Sequence, residues 1–332
     1  MHTQSNSGDI KLYPMKLQAA QKEIIWGGTR LKTDFNKPAA FDKIAESWEL
    51  TVRSDGMNAI ENGIYLGLTL EEYIQKLGGS VISDTYSGDR FPLLIKFIDA
   101  CDKLSIQVHP DDEYSLKNEG EYGKTEMWYI IEADEGAQIV YGLKPNVTKA
   151  DFKNAVADDR TEETLNYISV KKGDVYFIPS GLVHAIGAGI LIAEIQQNSN
   201  ITYRVYDYKR KQSDGSLRQL HTEKALETVK LLTAQDIEDV RFSCHRNCEN
   251  DASLLASCDY FTVNRYDVTS AVKLSADKGS FNSIICISGG GEIKAGGESH
   301  PINKGDSYYI PAGMGAYEII AHDSVEIIVS KI

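Results

Sequence analysis

Long apolar runs are missing from this chain: no stretch approaches the roughly 18 consecutive hydrophobic residues that a bilayer-crossing helix needs. The opening segment, MHTQSNSGDI, has neither the basic start nor the apolar centre of a secretory signal. A cytoplasmic protein is expected. Positive charge is also in short supply, with 35 Lys and Arg against 48 Asp and Glu and a net charge of −13. Nucleic acid and anionic membrane both require a basic face that displaces counterions, so neither is expected as a partner. A phosphorylated ligand would have to be caught by a few local cations. Cysteine is sparse: Cys101, Cys244, Cys248, Cys258 and Cys286 are odd in number and scattered. A disulfide scaffold carries a dense, even set, so reduced thiols are expected here.

What is present suits folded cores. The 332 residues are 42% hydrophobic and 25% charged, enough for two barrel-sized units. Short runs rich in β-branched and aromatic residues recur throughout, among them SWELTV, FPLLIKFI, KLSIQV, EMWYIIEA, AQIVYG, DVYFIP, ILIAEI, TYRVYDY, YFTVNRY, NSIICI and VEIIVS. Gly, Asn and Asp punctuate them, which predicts sandwich or barrel architecture rather than alternating strand and helix. Helical periodicity is local, at Thr69 to Leu77, Asp111 to Lys117, Lys149 to Ala157 and Thr222 to Leu232. In the first of these, Thr69 and Glu72 have capping-box spacing.

An internal repeat organises the chain. KKGDVYFIPSGLVHAI, from Lys171, realigns with NKGDSYYIPAGMGAYEI, from Asn303, at a constant offset of 132 residues. Gly173 matches Gly305, Asp174 matches Asp306, Pro179 matches Pro311 and Gly181 matches Gly313. An offset of that size is a domain, so two β-barrels are expected in an all-β dominated fold with a small helical element. The expected division is a working barrel over 1–218, a helical linker over 219–258 and a second barrel over 259–332, to which N-terminal strands could be recruited. His184 aligns with Ala316, which predicts one working site and one vestigial barrel.

In KLSIQVHPDD, Gln107 and His109 stand two apart on an apparent strand, so both side chains face the same way. Glu126 opens EMWYII, expected to be the next ladder partner, and His184 stands just beyond the P-x-G turn. Two imidazoles, a carboxylate and an amide make a borderline N/O donor set that suits Zn²⁺, with Fe²⁺, Mn²⁺ and Co²⁺ as competitors. Taken singly, each of these residues has a plainer role as turn, surface or core. Their convergence favours a metal.

Other motifs weigh less. Cys244 and Cys248 flank His245 without a second ligand pair. Trp26, Gly27 and Gly28 read as a packed turn, and Gly289 to Gly291 as a hairpin.

The QVH triplet, the later Glu126 and the G-x5-P-x-G-x2-H run together resemble the two cupin motifs. With SIQVHPDD, GKTEMWY, IPSGLVHAIGAG and IAEIQQNSNITYRVYDY, the chain resembles the type I mannose-6-phosphate isomerases in their short bacterial form, over residues 10 to 330. The resemblance implies two cupin jelly-roll barrels and interconversion of mannose 6-phosphate and fructose 6-phosphate through a metal-stabilised enediolate. It makes Gln107, His109, Glu126 and His184 the ligands of one zinc ion per chain and Arg204 the active-site arginine. It also makes Lys124 and Glu194 residues of the pocket. The general base stays open among Glu194, Lys124 and a metal-bound water. Substrate contacts are expected from Ser105, Lys124, Arg204 and Arg218, the last from the basic loop YKRKQSDGSLR, in which Lys209, Arg210 and Lys211 are further candidates. The partner is then a small sugar phosphate, and the chain a monomer or homodimer. Another cupin enzyme, such as a dioxygenase or a different sugar-phosphate isomerase, and a sugar-phosphate sensor remain as alternatives.

Overall fold

A computed structural model describes residues 11–38, 40–88, 90–212, 214–244 and 252–332. Each of the eleven apolar runs named above contributes a strand, because each alternates or runs apolar over three or more residues between turn formers. The helices follow the same signals. Thr69 caps Leu70–Leu77, its side chain accepting from the Glu72 backbone while Glu72 returns the bond. Lys149–Ala157 matches its expected bounds, and Asp111 caps Asp112–Asn118. Thr222–Thr228 is shorter than expected. Among the described residues, no helix is long and apolar enough to cross a membrane.

Two sheets form the first barrel. One carries, in order, Val175–Ile178, Glu126–Ala133, Ile190–Gln197, Leu93–Ala100, Glu46–Leu50 and Ala20–Lys22. The other carries Leu165–Ser169, Gln138–Leu143, His184–Ile186, Ile106–Val108 and Tyr203–Tyr206. From Leu93–Ala100 onward most consecutive strands switch sheets, as in a jelly roll. The expectation that Glu126 would pair beside the Gln107 strand is overturned. Glu126 pairs with Ile178 and Gln196 in the first sheet, while Gln107 pairs with His184 and Arg204 in the second. The chain between them folds the helix Asp112–Asn118, which carries it across the sandwich instead of turning it back on itself.

The second barrel is built on a nine-stranded sheet that includes Thr262–Val268, Asn282–Ala295, Ser307–Ile310 and Gly315–Lys331. N-terminal strands join it: Met15 and Lys16 pair with Tyr309 and Tyr308. The repeat is a true structural one. Val175–Ile178 and Ser307–Ile310 are the same strand displaced by 132 residues (307 − 175). Gly173 and Gly305 before it have φ of +87° and +91°, and Gly181 and Gly313 after it +93° and +79°. A side chain at these turn positions would be strained, which is why glycine occupies both copies.

Gly289 to Gly291 is not a hairpin tip. It lies inside Asn282–Ala295 where the register against Gly315–Lys331 slips twice. A Cβ at Gly289 would sit 1.9 Å from the Ser324 carbonyl oxygen, so the glycines admit a bulge.

Candidate metal centre and active site

The two faces of the first barrel meet residue by residue. In one sheet Arg204, Gln107 and His184 stand side by side across three strands. In the other, Trp128, Glu194, Lys96 and Trp48 form a row across four. Cross-strand neighbours of this kind are within side-chain reach. Between the rows lies a cavity of about 290 Å³ that Gln107, Glu194, Lys96, Lys124 and Arg204 help to line. A larger cavity of about 360 Å³, bordered by Tyr86, Phe91 and Tyr260, contains none of the histidines.

His109, Glu126 and His184 form a group able to hold a metal ion. All three are at most 1% exposed. His109 Nδ1 lies 2.8 Å from the Ile201 carbonyl oxygen, and His184 Nδ1 lies 2.8 Å from that of Leu182. A carbonyl can only accept, so each Nδ1 carries the proton and each Nε2 presents a lone pair. Those two Nε2 atoms are 3.1 Å apart. Glu126 Oε1 is buried without a hydrogen-bond partner and lies 3.4 Å from His184 Nε2. Glu126 Oε2 is 3.6 Å from His109 Nε2. Two imidazole lone pairs and a carboxylate converging on one buried point are a donor set that fits a divalent metal, with the Lys124 ammonium beside them.

Gln107 stands beside this group. Its Nε2 is 3.4 Å from His184 Nε2, and its Oε1 accepts from Ser105 Oγ at 3.4 Å. Turning the amide over, a change that leaves its shape intact, would aim the oxygen at the same point.

Electrostatics keep the imidazoles neutral. Burial and the Lys124 ammonium hold His184 down at about 4, and burial, Lys124 and His184 hold His109 well below the usual imidazole range. Burial and the neighbouring Glu194 push Glu126 up to about 7, against the pull of Lys124. Lys124 donates to Glu126 Oε2 at 2.5 Å and lies 3.2 Å from His109 Nε2.

Glu194 is fixed at one end. Its Oε2 accepts from the Trp128 indole at 2.9 Å, while Oε1 has no hydrogen bond, with the ammoniums of Lys96 and Lys124 at 3.4 and 3.8 Å. Burial raises its proton affinity, but the two lysines outweigh it and hold the carboxyl below its ordinary range. Lys96 also meets Glu46 at 3.4 Å, and Glu46 accepts from the Trp48 indole. Sequence reasoning missed Lys96 and Glu46. Their signal was there: a lysine in the middle of LLIKFIDA, every residue of which is buried. An unpaired ammonium does not survive in such a place, so the lysine implied carboxylates across the strand.

Arg204 donates through Nε to Ser105 Oγ at 3.3 Å and through Nη1 to the Gln219 carbonyl at 2.8 Å. Arg218 reaches the same cavity but is locked to Asp207 by bonds of 2.7 and 2.5 Å. Of the remaining loop cations, Lys209 pairs with Asp159 at the surface, Lys211 is exposed and Arg210 folds back on Asp207. Trp26 is more than a packed turn, since it also forms cavity wall. Cys244 contacts Asp259, and its candidate partners His245 and Cys248 lie outside the described residues.

Comparison with known proteins agrees with this geometry. Residues 14–155 match the family model of the type I phosphomannose isomerase catalytic domain, and residues 250–332 that of the mannose-6-phosphate isomerase cupin domain. The chain is 38% identical to the mannose-6-phosphate isomerase ManA of Bacillus subtilis, over 92% of this chain and 95% of that one. It is 36% identical to the mannose-6-phosphate isomerase of Streptococcus mutans, over 94% and 99%. A crystal structure of the mannose 6-phosphate isomerase from Bacillus subtilis superposes with a TM-score of 0.85 at 36% identity, covering 96% of this chain and 99% of that one. Matched by both family models and by relatives along nearly their whole length, the chain belongs to the type I mannose-6-phosphate isomerases.

Proposed function

We propose that this cavity interconverts mannose 6-phosphate and fructose 6-phosphate, with Gln107, His109, Glu126 and His184 holding one divalent transition-metal ion. The observation that carries the reading is the pair of Nε2 atoms 3.1 Å apart, each left with its lone pair by a carbonyl-bound Nδ1, beside an unpartnered Glu126 oxygen. Two imidazoles, a carboxylate and an amide, with no thiolate, favour zinc and leave room for sugar oxygens. Family membership sets aside the dioxygenase and sensor alternatives.

Isomerisation removes a weakly acidic proton beside a carbonyl and returns it to the neighbouring carbon. When bound, the metal supplies Lewis acidity to the sugar oxygens. Arg204 stands next to Gln107 in the sheet and adds a guanidinium that stays protonated as the enediolate charge develops. Glu194 is the base. It is ionised, its Oε1 is free of hydrogen bonds, and Trp128 fixes the other oxygen so that the carboxylate cannot rotate away. Lys124 and Lys96 hold it in that state, and Lys124 together with Ser105 serves the substrate oxygens. The near-total burial of this row excludes bulk water, which would otherwise take the proton.

A coupled assay that follows fructose 6-phosphate formation from mannose 6-phosphate tests the assignment. Turnover by the purified chain is expected, and none from metal-loaded protein would refute it.

A further inference from the structure

A phosphate dianion has to be held in a protein whose net charge is −13, and one surplus cation group borders the cavity. We propose that Asp207 is a positioning residue that presents Arg218, beside Arg204, as the phosphate-recognition end of the site. The inference rests on the sugar-phosphate isomerase reading and deepens it.

Asp207 lies just past the strand Tyr203–Tyr206, and its side chain is 6% exposed. Its two oxygens take Arg218 as a fork: Nε donates to Oδ2 at 2.7 Å and Nη2 to Oδ1 at 2.5 Å. Oδ1 also accepts Arg210 Nη2 at 2.6 Å. Arg210 is anchored outward as well, with Nη1 3.3 Å from the exposed Asp102 and donating to the Lys103 carbonyl. Three guanidiniums thus meet two carboxylates. The surplus belongs to Arg204, whose hydrogen-bond partners, Ser105 Oγ and the Gln219 carbonyl, are both neutral. Arg218 and Arg204 are cavity walls, whereas Asp207 is not. The carboxylate therefore sits behind the fork and leaves its open edge toward the cavity.

The backbone is bent to achieve this. Tyr208 and Lys209, directly after Asp207, have φ of +55° and +53°, two consecutive non-glycine residues in the left-handed region. Such strain persists only where surrounding contacts over-determine it, and it gathers at ligand clamps. Here Arg210 N bonds back to the Asp207 carbonyl, and the bridge of Lys211 with Leu217 returns the chain so that Arg218 reaches the cavity. A guanidinium pre-oriented in this way loses little freedom on meeting a phosphate, and its planar edge matches two phosphate oxygens. A neutral hydroxymethyl group, as on the unphosphorylated sugar, would offer that edge a single uncharged acceptor in place of a dianion.

The test is steady-state kinetics with mannose 6-phosphate, together with competition by inorganic phosphate, for wild type, Arg218→Ala, Arg218→Lys, Asp207→Asn and Asp207→Glu. Arg218→Ala should raise KM by about 10- to 100-fold, the scale of lost charge-assisted hydrogen bonds, with the main effect on KM rather than kcat, and should abolish competition by inorganic phosphate. Asp207→Asn should raise KM less, with Asp207→Glu restoring part of the loss. A purely structural role would not be rescued in that pattern. Should Asp207→Asn fail to fold, Arg218→Lys carries the test, since it keeps the charge and loses the fork and should still raise KM. Wild-type KM and phosphate competition in Arg218→Ala would overturn the inference, as would a fall confined to kcat. An inactive wild type would instead sink the isomerase assignment, so the two failures are distinguishable.

Discussion

The two barrels are built on one plan and filled with opposite chemistry. The strand Val175–Ile178 and its counterpart Ser307–Ile310 align the neighbouring ladders. Tyr176 faces Trp128, which faces Glu194; Tyr308 faces Ile284, which faces Val329. Glu126 opposite Ile178 becomes Asn282 opposite Ile310. Lys96 opposite Glu194 becomes Asn264 opposite Val329. The second barrel therefore keeps the shape of the first and discards its charges. Its interior is an apolar cluster that includes Ile284, Ile293, Ile327 and Val329, and the Asn282 amide is satisfied by the Tyr317 hydroxyl and the Ser275 carbonyl. Buried charge is expensive unless paired, so a fold loses it where no ligand or reaction requires it. The first barrel retains a lysine, two carboxylates and two histidines in the same positions or beside them, and that retention marks the site.

The largest break in the comparison comes from the metal donors. His184→Ala or Glu126→Gln should lower kcat by about 1,000-fold or more and release the metal, while Ala316→His in the second barrel should bind none; elemental analysis beside the coupled assay reads both. Arg204→Ala comes next, with kcat expected to fall by about 100-fold or more, on the scale of one lost oxyanion stabiliser; a near wild-type rate would retire its assigned role.

Equivalent positions sharpen the contrast in stability. Lys96→Met takes the ammonium away from Glu46 and leaves Glu194 with Lys124 alone, and should cost about 3 kcal/mol in chemical denaturation. Asn264→Leu, at the matching place in the second barrel, removes a buried amide oxygen that has no partner. It should be neutral or stabilising by about 1 kcal/mol, with kcat unchanged. Equal losses at the two sites would contradict the division of labour.

The smallest effect concerns acid. Burial raises the proton affinity of Asp207, but Arg218 and Arg210 outweigh it and hold the carboxyl below the usual range. The folded chain thus binds this proton more weakly than the unfolded chain does. The stabilisation is complete above about pH 4 and is lost as the pH falls through the lower folded value. Asp207→Asn should lower the melting temperature at pH 7 by about 2 °C, and the gap from wild type should narrow as the pH falls below about 4 toward the lower folded value.

Much of this was legible in the residues. Strand runs, capping boxes and the 132-residue repeat are local patterns, and period-two spacing correctly sent Gln107 and His109 toward one point. Sheet partition was not legible. Which strand lies beside Glu126 depends on whether the Asp112–Asn118 helix turns the chain back or carries it across, and that is decided by tertiary contacts such as Tyr114 on Tyr203 and Gln197 on Asp112, which no local pattern shows. Offset alone also misplaced one detail, because Ala316 is exposed while its neighbour Tyr317 is buried and takes the inward place. Asp207 carried no signal, since an aspartate in a basic loop reads as solvated until Arg210 and Arg218 are seen to converge on it.

Zinc titration of chelator-stripped protein, with turnover of mannose 6-phosphate followed at each addition, tests the metal centre most directly. Turnover should start near zero, rise linearly and break at about one equivalent per chain, as a single four-donor site requires. Full turnover before any metal is added would contradict the account.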